Sequence, residues 1–242
     1  MTQIKYCSMD LFYSPDVQPG DFLFSREESR HITKVLRKKT GDSLSLTNGK
    51  GVLFSCRISD AHPQKCMVEI INTRHIPKPR PFKVHLAVAP TKNISRFEWF
   101  LEKATEIGID EITPLKCDHS ERLHINLDRL NKVLIAAIKQ SQQCWLPKLN
   151  QLTTFGGLME DDFDGQKFIA YVDRENTVTL KSLCLPAKDS IVLIGPEGDF
   201  SEREVDAAIS SAYLQISLGK NRLRTETAAL VACHTINLLN QA

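Results

Sequence analysis

The sequence predicts an α/β protein built on a parallel sheet and preceded by a small β-barrel-like unit. Three observations predict it. Short apolar runs alternate with helical patterns over residues 82–242, residues 1–73 carry hairpin-linked runs and one helix, and residues 74–81 hold Pro77, Pro79 and Pro81. Strand–helix alternation gives a parallel sheet. Alternate prolines stiffen a chain and exclude regular helix, which makes residues 74–81 a linker.

Composition narrows the function classes. The 242 residues allow one large domain or two modest ones, and 42% apolar residues suffice for an ordinary core. A net charge of +2 announces no global field for nucleic acid, so charge has to be sought locally. Seven widely spaced cysteines (Cys7, Cys56, Cys66, Cys117, Cys144, Cys184, Cys233) without a C-x-x-C argue against a disulfide framework and against zinc. They point to a reducing cytoplasm. The seven histidines are scattered and H-E-x-x-H is absent, so no metal is expected. No apolar run reaches the length of a membrane span, and no signal-peptide core follows Met1.

In residues 1–73, Phe22-Leu23-Phe24 reads as a strand, and Ser25 with Glu28 as a capping box. The helix that follows places Arg30, Lys34 and Arg37 on one face and Ile32, Val35 and Leu36 on the other. Arg26 to Lys39 holds six Lys/Arg and two Asp/Glu, a local charge of +4. This stripe, with Arg26, Arg30, Lys34, Arg37 and Lys38, suits a phosphate backbone. The competing reading is a solvated helix face. Leu44 and Leu46 then alternate along a strand, Asn48-Gly49 turns it, and Val52–Ile58 and Cys66–Ile71 return, which makes the unit barrel-like.

The second segment opens with the strand Val84–Ala89 and the loop Pro90-Thr91-Lys92-Asn93. Ser95 and Glu98 read as a capping box, for a helix with Phe97, Phe100, Leu101, Ala104 and Ile107 inward that stops at Gly108. Ile109–Leu115 is the next strand, Leu127–Ser141 a helix, and Phe168–Val172 a strand ending at Asp173.

The chain is organised around Ile191–Ala232. The run Ile191–Ile194 stops at Gly195-Pro196-Glu197-Gly198, and Ser201 with Glu204 caps a helix carrying Val205, Ala208 and Ile209. A second strand, Leu214–Leu218, ends at Gly219 and the basic loop Lys220–Arg224, after which Thr225 opens a last helix with Ala228, Val231, Ala232, Thr235 and Leu239 along one side. Both loops fall at the carboxyl ends of parallel strands, where ligands bind. There is no G-x-G-x-x-G and no P-loop, so neither is a known phosphate cradle. The competing reading is two ordinary βα turns.

Several of these motifs together resemble one family. Gly195-Pro196-Glu197-Gly198, Leu218-Gly219 and Leu223-Arg224-Thr225-Glu226-Thr227-Ala228 are similar to the C-terminal signature of the RsmE-type ribosomal RNA uracil-N3 methyltransferases, of the SPOUT class. Lys103–Gly108, Gln140-Ser141, Leu146-Pro147 and, upstream, His31 with Lys34–Arg37 and Gly41-Asp42 resemble further family elements, so the likeness spans essentially the whole chain. There are departures. Asp199 stands where the family usually has a second Gly, Lys139 where an acidic residue is common, and Gln142-Gln143 where a Gly and a basic residue are usual. The start, Met9–Phe12, lacks the Arg usually found before the first aromatic.

The resemblance implies a C-terminal trefoil knot, which connection rules alone would exclude, and a PUA-like first domain that binds RNA. It implies S-adenosyl-L-methionine as donor, N3 of a uridine in 16S ribosomal RNA or the small ribosomal subunit as acceptor, and a homodimer in which Ala228, Ala229 and Ala232 pack on a partner. It assigns Ile194, Gly195, Pro196, Glu197, Gly198, Leu218, Gly219, Leu223, Arg224, Thr225 and Ala228 to the donor, and adds Lys92 to the basic helix as an RNA contact. Arg224, or else Arg222, can stabilise charge on the uracil oxygen. Glu197 can act as a base or face the cationic sulfur, and the identity of the base stays open. Two other readings remain: a SPOUT methyltransferase on another RNA such as transfer RNA, and a non-catalytic RNA-binding ribosome-assembly protein, which Asp199 keeps open.

Overall fold

The computed structural model describes residues 10–171 and 178–241, so Cys7, Met9 and the expected strand end at Val172 and Asp173 lie outside the described residues. The chain divides into two units, residues 1–79 with 138–146, and residues 80–137 with 147–242.

In the first unit the strands are β1 (Leu11–Tyr13), β2 (Asp21–Leu23), β3 (Ser43–Thr47), β4 (Val52–Asp60) and β5 (Met67–His75). They form one sheet in the order β1-β3-β4-β5-β2. No pairing joins β1 to β2, so the sheet is a curled half-barrel where a barrel was expected. Leu44, Leu46, Phe54, Cys56, Ile58 and Val68 meet Phe12, Phe24 and Ile32 in its core.

The basic helix is shorter than its spacing suggested. Helix α1 spans Arg26–Arg30, one wider π turn follows at His31–Val35, and Arg37 has left the helix with φ +55°. The π turn shifts the face, so Ile32 is buried while Val35 is 66% exposed, contrary to its expected inward position. Only half of the expected capping box forms. Ser25 Oγ accepts from Glu28 N (3.3 Å), but the Glu28 carboxylate accepts from Lys139 Nζ (2.7 Å). The Lys139 ammonium also lies 5.2 Å from the Phe12 ring centre, an attraction to its negative face. Lys139, one of the family departures, is thereby given a pairing role. Residues 138–146 are tied in further by Leu146 N on Gly49 O (2.9 Å) and by Trp145 Nε1 on Ile76 O (3.1 Å).

In the second unit β6 (Val84–Val88), β7 (Glu111–Lys116), β8 (Lys148–Leu149), β9 (Thr153–Thr154), β10 (Gln166–Ala170), β11 (Ser190–Ile194) and β12 (Leu214–Ile216) are joined only by parallel pairings. The order is β12-β10-β11-β6-β7-β8, with β9 also on β7. The helices are α2 (Ile94–Ile107), α3 (Leu127–Gln140), α4 (Phe155–Glu160), α5 (Leu180–Leu183), α6 (Glu202–Ser210) and α7 (Thr225–Leu239). Ile191 and Leu193 pack with Phe155, Phe200, Val205 and Ala208. Alternation along the strand turns Val192 and Ile194 to the opposite face, where α7 lies against β6 and β11 and packs on α2. Both faces are covered, which is why β6 and β11 are buried along their whole length.

Two helices differ from the expectation. Helix α2 is capped by Asn93, whose Oδ1 accepts from Ser95 N (3.1 Å), and not by Ser95, while Glu98 pairs with Arg129 Nη2 (2.8 Å). On α7 the buried stripe is Thr225, Glu226, Ala229, Ala232, Cys233 and Ile236, one step round from the side expected. Ala229 and Ala232 are therefore inside their own chain and not free for a partner. On α6, Ile209 is half exposed where it was expected to face inward.

The turn from α2 to β7 is locked by a clamp. Gly108 has φ +116°, and a Cβ there would lie 2.3 Å from Arg80 Nη1. Arg80 donates to Asp110 Oδ2 (2.8 Å) and to Asn237 Oδ1 (3.0 Å), and Asn237 Nδ2 donates to Gly108 O (2.8 Å).

At the amino ends of β6 and β7 lies a buried polar cluster. Burial pushes the Glu111 carboxyl up, but hydrogen bonds from Lys83, Asn150 and Lys148 outweigh it and bring it down to about 2. Burial drives His85 down to about 4, against the opposing pull of Glu111. Its Nε2 lies 2.8 Å from Thr113 Oγ1. Because the folded pKa of His85 is depressed, its stabilisation is present above the unfolded value near 6.5 and is lost as pH falls toward 4. At about 1.4 kcal/mol per tenfold in proton affinity, roughly 2 kcal/mol should disappear between pH 7 and pH 5. Urea midpoints of the wild type and His85→Leu at the two pH values check this. An equal drop in both would remove His85 as the cause.

Candidate functional site

The strand order reverses between β6 and β11. From β6 the chain moves outward through β7 to β8, and from β11 it moves outward the other way to β12. Loops leaving adjacent strands in opposite directions open a crevice at the carboxyl edge. Of the sequence-predicted loops, the one after β11 stands there, while the one after β12 leaves the outermost strand and leads into α7.

The loop after β11 is held from several sides. Asp199 N donates to Pro196 O (2.9 Å) and closes a turn. Asp199 itself has φ +63°, and its Oδ1 accepts from Phe200 N (2.9 Å). Asp tolerates this left-handed backbone better than most residues because its short carboxylate can bond locally. Ser201 and Glu204 then form the expected box: Ser201 Oγ accepts from Glu204 N (3.3 Å) and Glu204 Oε2 from Ser201 N (2.9 Å). Ser201→Ala should lower stability by about 1 kcal/mol, the usual value of such a cap. A chemical-denaturation midpoint indistinguishable from wild type would contradict it.

Gly195 and Gly198 are places of close approach. A Cβ on Gly195 would lie 3.1 Å from the Phe200 ring, and one on Gly198 would lie 3.1 Å from His119 Cβ. Thr225 Oγ1 donates to Gly195 O (3.1 Å), which fixes the start of α7 to this loop. Glu197 Oε1 accepts from Lys92 N (3.0 Å), which fixes the loop after β6 to it as well.

The predicted site residues separate by environment. Ile194, Gly195, Pro196 and Thr225 are buried, Leu218, Leu223 and Ala228 are half-buried, and Glu197, Gly198, Gly219 and Arg224 are exposed. Gly219 has φ +133°, and its N–H donates to Ser217 Oγ (3.2 Å). Arg224 is the N-cap of α7, in extended backbone, and among the described residues it forms no ion pair. Hydrogen bonds therefore join Gly195 to Thr225 and Glu197 to Lys92, whereas Arg224 is left exposed beside that junction.

In the first unit Arg26, Arg30, Lys34 and Arg37 are exposed. Lys38 is engaged, with Nζ 3.0 Å from Asp10 Oδ2 and 3.1 Å from Ser43 O. In the second unit the Lys92 ammonium pairs with Glu121 (2.7 Å).

Two features escaped the sequence reading. The first is Glu226. It is 8% exposed, Oε1 lies 3.9 Å from Arg96 Nε, and Oε2 has no hydrogen-bond partner among the described residues. The loop after β7, Cys117 to Arg122, was passed over. His119 Nδ1 meets Gly198 O (3.2 Å) and Asp199 O (3.1 Å), Asp118 N donates to Glu204 Oε1 (2.9 Å), and Arg122 Nε donates to Thr91 O (3.0 Å). The signal that could have found it is position, since β7 also ends at this edge. Among the described residues no group of three His, Cys, Asp or Glu could hold a metal ion. None of the described helices is long and apolar enough to cross a membrane.

Comparison with known proteins agrees with this geometry. A family model described as an RNA methyltransferase domain matches residues 78–237, and one described as an RNA methyltransferase PUA domain matches residues 24–71. The chain is 31% identical to the ribosomal RNA small subunit methyltransferase E of Buchnera aphidicola, over 92% of this chain and 90% of that protein. Among solved structures, a probable rRNA-methyltransferase of Porphyromonas gingivalis is 39% identical with a TM-score of 0.90, covering 96% of this chain and 98% of the other. The ribosomal RNA small subunit methyltransferase E of Neisseria gonorrhoeae, solved bound to S-adenosyl methionine, is 25% identical with a TM-score of 0.84 and the same two coverages, 96% and 98%.

Proposed function

We propose, from the premise that this chain belongs to the ribosomal RNA small subunit methyltransferase E family, that it transfers a methyl group from S-adenosylmethionine to N3 of a uridine in 16S ribosomal RNA. One observation carries the placement of the reaction. The loop after β11 and the start of α7 meet at the carboxyl edge beside the strand-order reversal, joined by Thr225 on Gly195.

The residues present fit the donor. The buried Glu226 Oε2, without a hydrogen-bond partner among the described residues, suits a cationic ligand. The donor, when bound, supplies an electrophilic methyl on a positively charged sulfur. Ile194, Gly195, Pro196, Gly198, Leu218, Gly219, Leu223, Thr225 and Ala228 would hold it, through backbone groups to the adenine edge and apolar contacts to its faces. Arg224, exposed at the head of α7, donates to the uracil oxygen as N3 loses its proton to water, so that the developing charge lies beside a cation. Glu197 Oε1 accepts from Lys92 N, which ties its carboxylate to the loop after β6. We assign Glu197 to facing the positive sulfur. Arg26, Arg30, Lys34, Arg37, Lys38 and Lys92 contact RNA phosphates, which position the substrate without reading its sequence.

The same reading includes a division at residues 1–73, 74–81 and 82–242, a trefoil knot formed by the last strand and helix, and a cytoplasmic homodimer. With Ala229 and Ala232 inside the chain, the flank of α7 left for a partner carries Ala228, Val231, Thr235 and Leu239. Sedimentation at the mass of one chain would remove the dimer. Titration calorimetry with S-adenosylmethionine tests the donor site. Micromolar binding is expected, and absence of binding would favour a non-catalytic RNA-binding protein.

A further inference from the structure

Three loops leave the carboxyl edge from the adjacent strands β11, β6 and β7, and each is bonded to the other two. The loop after β6 is held to that after β11 by Lys92 N on Glu197 Oε1 (3.0 Å). It is held to the loop after β7 by Arg122 Nε on Thr91 O (3.0 Å), by Arg122 Nη2 on Lys92 O (2.5 Å) and by the Lys92–Glu121 ion pair. The loop after β7 returns to that after β11 through His119 Nδ1, 3.2 Å from Gly198 O and 3.1 Å from Asp199 O. Both partners of Nδ1 are carbonyl oxygens, so Nδ1 carries the proton and donates.

We infer that His119 and Arg122 are positioning residues that close a ring of three loops and hold the Gly195–Asp199 turn in its donor-binding shape. The reasoning is mechanical. Each loop alone is exposed at its tip, and a single hydrogen bond there has little net value against water. In a closed ring each bond is supported by the other two, because a loop can leave one partner only by straining its second. Opening the ring at one bond removes this mutual support from the others. The Lys92 side of the ring also bears on Glu197, so a cut at His119 loosens a bond formed by neither cut residue. Asp118 N on Glu204 Oε1 (2.9 Å) and Ser201 Oγ on Asp118 Oδ2 (2.7 Å) anchor the β7 loop to the start of α6, so His119 works from a fixed base. The effect on donor affinity rests on the function proposed above. The coupling between the loops does not.

The ligand-free test is hydrogen exchange at the Lys92 amide in His119→Ala. Exchange faster than wild type by about tenfold is expected, and an unchanged rate would mean that the bonds act separately and would overturn the ring. The ligand-bound test is calorimetry with S-adenosylmethionine on His119→Ala, Arg122→Ala and the double variant. Each single change should weaken binding about tenfold, and the double change by little more, because the ring is already open. A double variant weakened about a hundredfold, the product of two independent tenfold losses, would contradict the ring. So would single variants that bind like wild type. His119→Asn, whose amide N–H can stand in for Nδ1–H, should return both readouts to within about twofold of wild type, which a general loss of structure would not permit. A wild type that does not bind the donor but shows the exchange coupling would remove the proposed function and keep the ring.

Discussion

Replacing Arg224 by alanine is expected to reduce methyl transfer by roughly a hundredfold to a thousandfold, the usual loss when one fixed donor to a developing oxyanion is removed. Arg224 sits at the head of α7 in extended backbone, exposed, and without an ion pair among the described residues. Its loss should therefore leave the unfolding midpoint close to wild type. Arg224→Lys should recover only part of the rate, because a lysine keeps the charge but not the planar pair of donors. Single-turnover rates at saturating donor and RNA measure the effect on the transfer step itself. Full activity in the alanine variant would show that uracil charge is stabilised by another group, with Arg222 the next to test.

Asp110→Ala should have the largest effect on stability. Asp110 Oδ2 accepts from Arg80 Nη2 (2.8 Å), Arg80 Nε (3.3 Å) and Val84 N (2.9 Å). The Arg80 side chain is only 11% exposed, so alanine would leave a largely buried cation and a strand N–H without their acceptor. Breaking one side of a buried pair in this way costs about 3–5 kcal/mol, whereas replacing both partners by apolar residues costs much less. Urea unfolding of Asp110→Ala should show that loss, and the double variant Arg80→Met with Asp110→Leu should regain a good part of it. A single-variant loss below about 1 kcal/mol would mean that water takes over the acceptor role.

Much of the fold was legible because its signals are local. Ile191–Ile194 bounded by Gly195 and Pro196 reads as a buried strand, and Ser201 with Glu204 forms the box its spacing announces. Where a tertiary partner competes, the local signal fails. Glu28 and Glu98 stand at the box position, yet Lys139 and Arg129 take their carboxylates. The basic helix ends early because one π turn moves Val35 outward, and helical spacing contains no mark of that turn. On α7 nearly every side is apolar, so periodicity could not select which stripe would be buried. The short strands β8 and β9, of two residues each, are too brief to leave a pattern. The site was legible as two motif-bearing loops. The third, with His119 and Arg122, carries no motif and becomes visible only once β7 is placed beside β6. Asp199, a departure from the resembled motif, adopts the left-handed backbone of its turn at φ +63°, so the turn needs a residue tolerant of positive φ rather than glycine itself.

The central claim is the reaction, and it is tested by incubating the protein with labelled S-adenosylmethionine and purified small ribosomal subunits, then analysing the RNA nucleosides. The account predicts label in 3-methyluridine, about one per subunit, and its loss with Arg224→Ala. Label confined to another nucleoside, or none in the RNA of subunits that lack the modification while the donor binds, would contradict it.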